Sequence, residues 1–129
     1  MPSILVVEDD ERFRNLIGEI LHLESYDVSL AGSGKEAVRF CQERPPDLVI
    51  TDLLMPEMDG FELIRSLRQS HPNLPLLVIS GASDSLLKEA TELGAVGSLQ
   101  KPFREEELLA LVARILKEGR LASSKDMEL

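Results

Sequence analysis

Asp52 closes an apolar, β-branched run, Leu48-Val49-Ile50-Thr51, and opens a turn-like stretch, Leu53-Leu54-Met55-Pro56-Glu57-Met58-Asp59-Gly60. The acidic cluster Glu8-Asp9-Asp10 follows Ile4-Leu5-Val6-Val7 in the same way. Ser80 follows Leu76-Leu77-Val78-Ile79, and Lys101 comes just after Leu99 and directly before Pro102. If these runs are parallel neighbours, carboxylates, a hydroxyl and an ammonium leave one edge of one sheet together. An oxygen-rich nest of this kind holds a hard divalent cation and handles phosphate.

The elements that must position these groups show two alternating hydrophobic periods. Runs 4–7, 48–51 and 76–79 are continuously apolar, as in parallel strands buried on both faces. Val28-Ser29-Leu30-Ala31 and Val96 to Leu99 are weaker strand segments. Between them, Phe13, Leu16, Ile17, Ile20 and Leu21 fit helical spacing without a miss. Ala37, Val38 and Cys41 mark a second helix, and Leu63, Ile64 and Leu67 a third. Leu86, Leu87, Ala90 and Leu93 mark a fourth, and Leu108, Leu111, Val112, Ile115 and Leu116 a fifth. Ser33 with Glu36 and Asp59 with Glu62 have capping-box spacing. Gly94 stands where a left-handed residue would end a helix, and Glu105, Glu106 and Glu107 suit the positive end of the last one. The expected fold is α/β, a doubly wound (βα)5 unit with right-handed crossovers and helices on both faces. Its ligand site should lie outside the carboxyl ends of the strands.

The chain has 129 residues, 43% of them hydrophobic and 29% charged, which suits one soluble domain with a core. Fourteen basic against 23 acidic residues give a net charge of −9, which argues against direct nucleic-acid binding. The single cysteine, Cys41, allows no internal disulfide and lies on the apolar stripe of the second helix. No run approaches the ~18 apolar residues of a membrane span, and the start Met1-Pro2-Ser3 does not resemble a signal peptide. A cytoplasmic location is expected. From Gly119 the apolar period is lost, so residues 119–129 are expected to form a polar tail or the start of a linker after a domain of residues 1–118. His22 and His71 have no Cys or His at ligand spacing and do not suggest zinc. Gly32-Ser33-Gly34-Lys35 lacks the full phosphate-loop pattern and reads as a turn and cap. Asp10 serves equally well as a helix-start residue or a metal contact.

Taken in order, Glu8-Asp9-Asp10, Asp52 with Met55-Pro56-Glu57-Met58-Asp59-Gly60, Ser80-Gly81-Ala82 and Lys101-Pro102-Phe103 resemble the receiver domain of two-component response regulators, over roughly residues 3–118. The resemblance implies the flavodoxin-like strand order 2-1-3-4-5. It implies that Asp52 is a phosphoacceptor for a sensor histidine kinase or a histidine phosphotransfer protein. Asp9 would bind Mg²⁺ directly, with Glu8 acting through water or orientation, and Asp52 and the backbone carbonyl of Leu54 would complete the protein ligands. Lys101 would pair first with the carboxylates and then with phosphoryl oxygens, and Ser80 would hydrogen-bond the phosphoryl group. The family also places a cis peptide at Lys101-Pro102. Such a domain catalyses its own phosphorylation and dephosphorylation but is not a turnover enzyme. It would act as a monomer or weak dimer on a downstream protein target. The charges agree: two carboxylates ~6 Å apart repel by about 3 kcal/mol at an effective dielectric of ~20. A divalent cation plus Lys101 removes that cost and neutralises charge building up in phosphoryl transfer.

Three positions depart from the pattern or qualify it. Ser98 stands where the family has an aromatic ring, so any response to phosphorylation is expected on residues 81–93 rather than around strand five. Leu54 and Ala82, two residues after Asp52 and Ser80, carry no group that could orient a hydrolytic water. Leu54 also counts against an aspartyl-phosphate phosphohydrolase, which would carry a second Asp there. A nucleotide-binding α/β module would need Gly-x-Gly-x-x-Gly after strand one, where Glu8-Asp9-Asp10 stands instead. A phosphate-independent, receiver-like interaction module is the remaining alternative.

Overall fold

The computed structural model describes the backbone of residues 1–128 and the side chains of residues 1–119. Five strands and five helices alternate: β1 (Ser3–Val7), α1 (Glu11–Leu23), β2 (Asp27–Ala31), α2 (Gly34–Glu43), β3 (Leu48–Thr51), α3 (Gly60–Ser70), β4 (Leu76–Ser80), α4 (Asp84–Glu92), β5 (Gly97–Gln100) and α5 (Glu105–Glu128). The sheet is parallel throughout, in the order β2-β1-β3-β4-β5. This is the doubly wound arrangement expected of a strictly alternating chain.

Strand side chains alternate between two cores. Leu5, Val7, Val49, Leu76 and Val78 pack with Ala37 and Cys41 of α2, Leu63, Ile64 and Leu67 of α3, and Leu87 and Ala90 of α4. Ile4, Val6, Leu48, Ile50, Leu77 and Ile79 pack with Ile17 and Leu21 of α1 and with Leu108, Val112, Ile115 and Leu116 of α5. The three central strands are covered on both faces, which accounts for their unbroken apolar runs. The outer strands β2 and β5 are only partly buried, and their sequences are correspondingly mixed.

Four helix starts carry side-chain caps, among them the expected Ser33 and Asp59. The side chains of Asp10, Ser33, Asp59 and Ser83 each accept from the first turn of their helices. Asp10 thereby resolves as a cap: its Oδ1 accepts from Arg12 N–H at 3.0 Å and Phe13 N–H at 3.4 Å. Gly94, with φ +126°, supplies the left-handed residue after α4.

One expectation is corrected. Leu16, on the apolar spacing of α1, is 51% exposed. The helix turns Ile17, Gly18 and Leu21 inward instead, so Leu16 lies on the flank of the stripe. The segment from Gly119, expected to be a polar tail or the start of a linker, continues α5, which runs on to Glu128. Leu121, Ala122, Lys125, Met127 and Glu128 are good helix formers, and propensity carries the helix beyond its apolar period. Leu129 lies outside the described residues.

Candidate functional site

The site lies at the carboxyl edge of the sheet, where each strand makes its last ladder bond and departs. Glu8 N–H donates to Ala31 O at 3.0 Å, Asp52 N–H to Val7 O at 3.2 Å, and Lys101 N–H to Ser80 O at 2.9 Å. The backbone of these side chains is therefore fixed by the sheet itself. The same edge brings together Glu8, Asp9, Asp52, Ser80 and Lys101, which are far apart in sequence.

Glu8, Asp52 and Ser80 are buried and Asp9 is exposed. Asp52 Oδ1 accepts from Leu53 N–H at 2.7 Å and Leu54 N–H at 3.2 Å, which fixes the plane of the carboxylate. Lys101 Nζ donates to Asp52 Oδ2 at 3.0 Å and lies 3.7 Å from Glu8 Oε1. One carboxylate oxygen from each of Glu8, Asp9 and Asp52 lies within 4.8 Å of the others. The Ser80 hydroxyl accepts from Ala82 N–H at 3.2 Å, so the loop after β4 begins on the site itself. The Lys101-Pro102 peptide is cis, in line with the resemblance.

Crowding has an electrostatic consequence. Burial, reinforced by hydrogen bonding to Asp52 and by its charge, pushes the Glu8 carboxyl up to about 8. Burial also acts to raise Asp52, but hydrogen bonds from Glu8, Ser80, Lys101 and the Leu54 N–H outweigh it, and Asp52 is held below the usual range. Glu8 therefore holds its proton more tightly than an ordinary carboxyl, and Asp52 gives its proton up more readily. Three acidic side chains facing one ammonium are an all-oxygen donor set, and a hard divalent cation, which favours the ionised form of each, fits that set. A carboxyl whose folded value is raised contributes stability that is complete below its unfolded value and is lost as pH rises through the folded one. Metal-free protein should therefore lose thermal stability as pH rises from about 4.5 to about 8. Glu8→Gln should remove that slope, and Mg²⁺ should reduce it in the wild type. Thermal melts across that range check this; parallel profiles for wild type and variant would contradict it.

Several site contacts carry no sequence signal. Lys101 Nζ sits 4.0 Å from the centroid of the Phe13 ring. Phe13 in turn meets Phe103 edge-on, with centroids 6.1 Å apart and planes at 82°. Arg14 donates to the Glu8 carbonyl at 2.8 Å. Gly60 packs its Cα against the chain that leaves Asp52, where a Cβ would lie 2.3 Å from the Asp52 carbonyl oxygen. Ser98 is half-buried opposite Val78. Two residues on, the Gln100 side-chain amide donates to Ala82 O at 2.9 Å and ties β5 to the loop after β4. Leu54, whose carbonyl is the expected ligand, contributes its N–H to Asp52, and its side chain is 59% exposed.

With this fold and site, the chain belongs to the response regulator receiver domain family, whose pattern matches residues 4–113. It is 40% identical over 116 residues to the response regulator MprA of Mycolicibacterium vanbaalenii, covering 88% of this chain and 50% of that protein. It is 35% identical over 122 residues to the alkaline phosphatase synthesis transcriptional regulatory protein PhoP of Bacillus subtilis, covering 94% and 51%. The chain thus spans about half the length of these curated relatives. Among solved structures, the Vibrio cholerae chemotaxis protein CheY4 superposes with a TM-score of 0.84 at 32% identity, covering 89% of this chain and 98% of that one. NtrX from Brucella abortus superposes with a TM-score of 0.92 at 29% identity, covering 97% of this chain and 29% of that one. Receiver domains of two-component response regulators serve phosphorelay signal transduction, and membership of that family does not favour the phosphohydrolase or nucleotide-binding readings.

Proposed function

We propose that Asp52 accepts a phosphoryl group from a phosphorylated histidine on a sensor kinase or phosphotransfer protein, and that the change at Asp52 alters binding to a downstream protein. The observation that carries this is the Asp52 carboxylate, paired at 3.0 Å with Lys101 and set among Glu8 and Asp9. An oxygen of Asp52 attacks phosphorus; a new O–P bond forms as the P–N bond of the phosphohistidine breaks. The imidazole leaves with the electron pair and takes its proton from solvent. The Leu53 and Leu54 N–H groups hold the carboxylate in plane while Lys101 moves its charge toward the phosphoryl oxygens. The Ser80 hydroxyl supplies a further donor. Glu8, Asp9, Asp52 and the Leu54 carbonyl would hold Mg²⁺. When bound, that ion would offset charge on the phosphoryl oxygens.

The same reading has the domain act on itself rather than turn over a substrate. Leu54 and Ala82 offer no group to orient water, so the acyl phosphate is long-lived. Residues 1–118 are the receiver unit and residues 119–129 a polar tail or the start of a linker. The protein works in the cytoplasm, as a monomer or weak dimer, without direct nucleic-acid contact by this domain. Phosphorylation acts chiefly on residues 81–93, through Ser80 and the loop it begins. The test is intact mass after incubation with acetyl phosphate and Mg²⁺. Wild type should gain one phosphoryl group and Asp52→Asn none. Normal labelling of folded Asp52→Asn would contradict the assignment.

A further inference from the structure

We propose that Phe13 is a positioning residue for phosphoryl transfer: its ring face holds the Lys101 ammonium beside Asp52, and Phe103 braces the ring. This rests on the reading that Asp52 is the acceptor and Lys101 its partner. Lysine ends in a flexible four-carbon stem with three N–H donors. Asp52 Oδ2 takes one donor at 3.0 Å, and Glu8 Oε1 lies at 3.7 Å. The Phe13 ring, 4.0 Å from Nζ to its centroid, covers a further side. A cation at that distance from a ring face is attracted by the ring quadrupole.

The ring is itself held from two directions. The Asp10 cap fixes the first turn of α1, accepting from the Phe13 N–H. The edge-to-face contact with Phe103 fixes the ring plane. Phe103 follows Lys101 by two residues, so the loop that carries the ammonium also carries the brace.

A ring face suits a cation that has to move. Phosphorylation shifts negative charge from the Asp52 carboxylate outward onto the phosphoryl oxygens. A hydrogen bond to a fixed acceptor would resist that shift. The attraction of a ring face is broad, so Nζ can slide outward while one side stays covered. An aliphatic side chain of similar size would fill the space without this attraction.

The test replaces Phe13, one site at a time, with singly, doubly and triply fluorinated phenylalanine. Fluorine withdraws electron density from the face and barely changes the volume. Initial labelling rates with acetyl phosphate and Mg²⁺ should fall in steps. The triply fluorinated ring should be slower by about 3- to 10-fold, which corresponds to ~0.7–1.4 kcal/mol. Phe13→Leu should fall at least as far, and Phe13→Tyr should stay within about twofold of wild type, since both rings present the same face. Independently of labelling, the Lys101 ε-CH₂ protons in metal-free protein should be shifted upfield by the ring and should return to ordinary positions in Phe13→Leu. Equal rates across the fluorinated series, or unshifted ε-protons in wild type, would overturn the proposal. A wild type that takes no label would instead contradict the Asp52 assignment, and the proton shifts would still decide whether the ring holds the ammonium.

Discussion

Lys101→Met is expected to slow phosphoryl uptake from acetyl phosphate by about 10²–10³-fold, the usual cost of removing one preorganised donor from developing charge. Lys101 is the cation that touches both buried acids, at 3.0 and 3.7 Å. Methionine keeps the stem and deletes the charge, so packing against Phe13 survives and the electrostatics do not. The effect on metal should run the other way. Glu8, Asp9 and Asp52 remain, and a competing positive charge is gone, so Mg²⁺ should bind as tightly as in wild type or tighter. Labelling kinetics and an Mg²⁺ titration on the same sample check both halves. Uptake within about threefold of wild type would show that Lys101 does not assist the transfer.

Gly60→Ala should damage both stability and site. The added Cβ would lie 2.3 Å from the Asp52 carbonyl oxygen and 2.6 Å from the Leu53 Cα. Both are backbone atoms, so no rotamer change can relieve the clash. The Gly60 N–H also donates to Leu53 O at 2.9 Å, which clamps the start of α3 to the segment leaving Asp52. Overpacking of this kind costs about 1–3 kcal/mol or more, and the displaced atoms carry the acceptor carboxylate. Urea unfolding should show a lower midpoint, and labelling should slow in parallel. Gly81→Ala is the matched control, because nothing lies within 4 Å of a Cβ there. An unchanged midpoint for Gly60→Ala would mean that this approach is not what holds the turn.

The residues that are readable from sequence are those whose role follows from strand ends. Ile4 to Val7, Leu48 to Thr51 and Leu76 to Ile79 are buried on both faces, and a short, continuous, β-branched apolar run is what such burial demands. Once these runs are parallel, Glu8, Asp52 and Ser80 must share an edge. The outer strands are harder to read because one flank meets solvent, and Val96, placed in strand five by its β-branched type, precedes it and is 52% exposed. Periodicity assigns Leu16 to the core, yet spacing alone does not say how wide a stripe the sheet will cover. The contacts of Lys101 with Phe13 and of Gln100 with Ala82 join residues distant along the chain. So does the fit of Gly60 against Asp52. No local pattern encodes such meetings. The raised affinity of Glu8 for its proton belongs in the same class, because it depends on burial and on Asp52 together.

The most direct measurement is to locate the phosphoryl group itself. Protein labelled with acetyl phosphate and Mg²⁺ would be reduced with borohydride, which converts an aspartyl acyl phosphate to the corresponding alcohol. Peptide mass mapping then identifies the residue that was carrying it. The account predicts reduction at Asp52, dependent on Mg²⁺ and reaching most of the protein because Leu54 and Ala82 cannot orient a hydrolytic water. Reduction at another carboxylate, or none in folded protein with Mg²⁺ present, would contradict it.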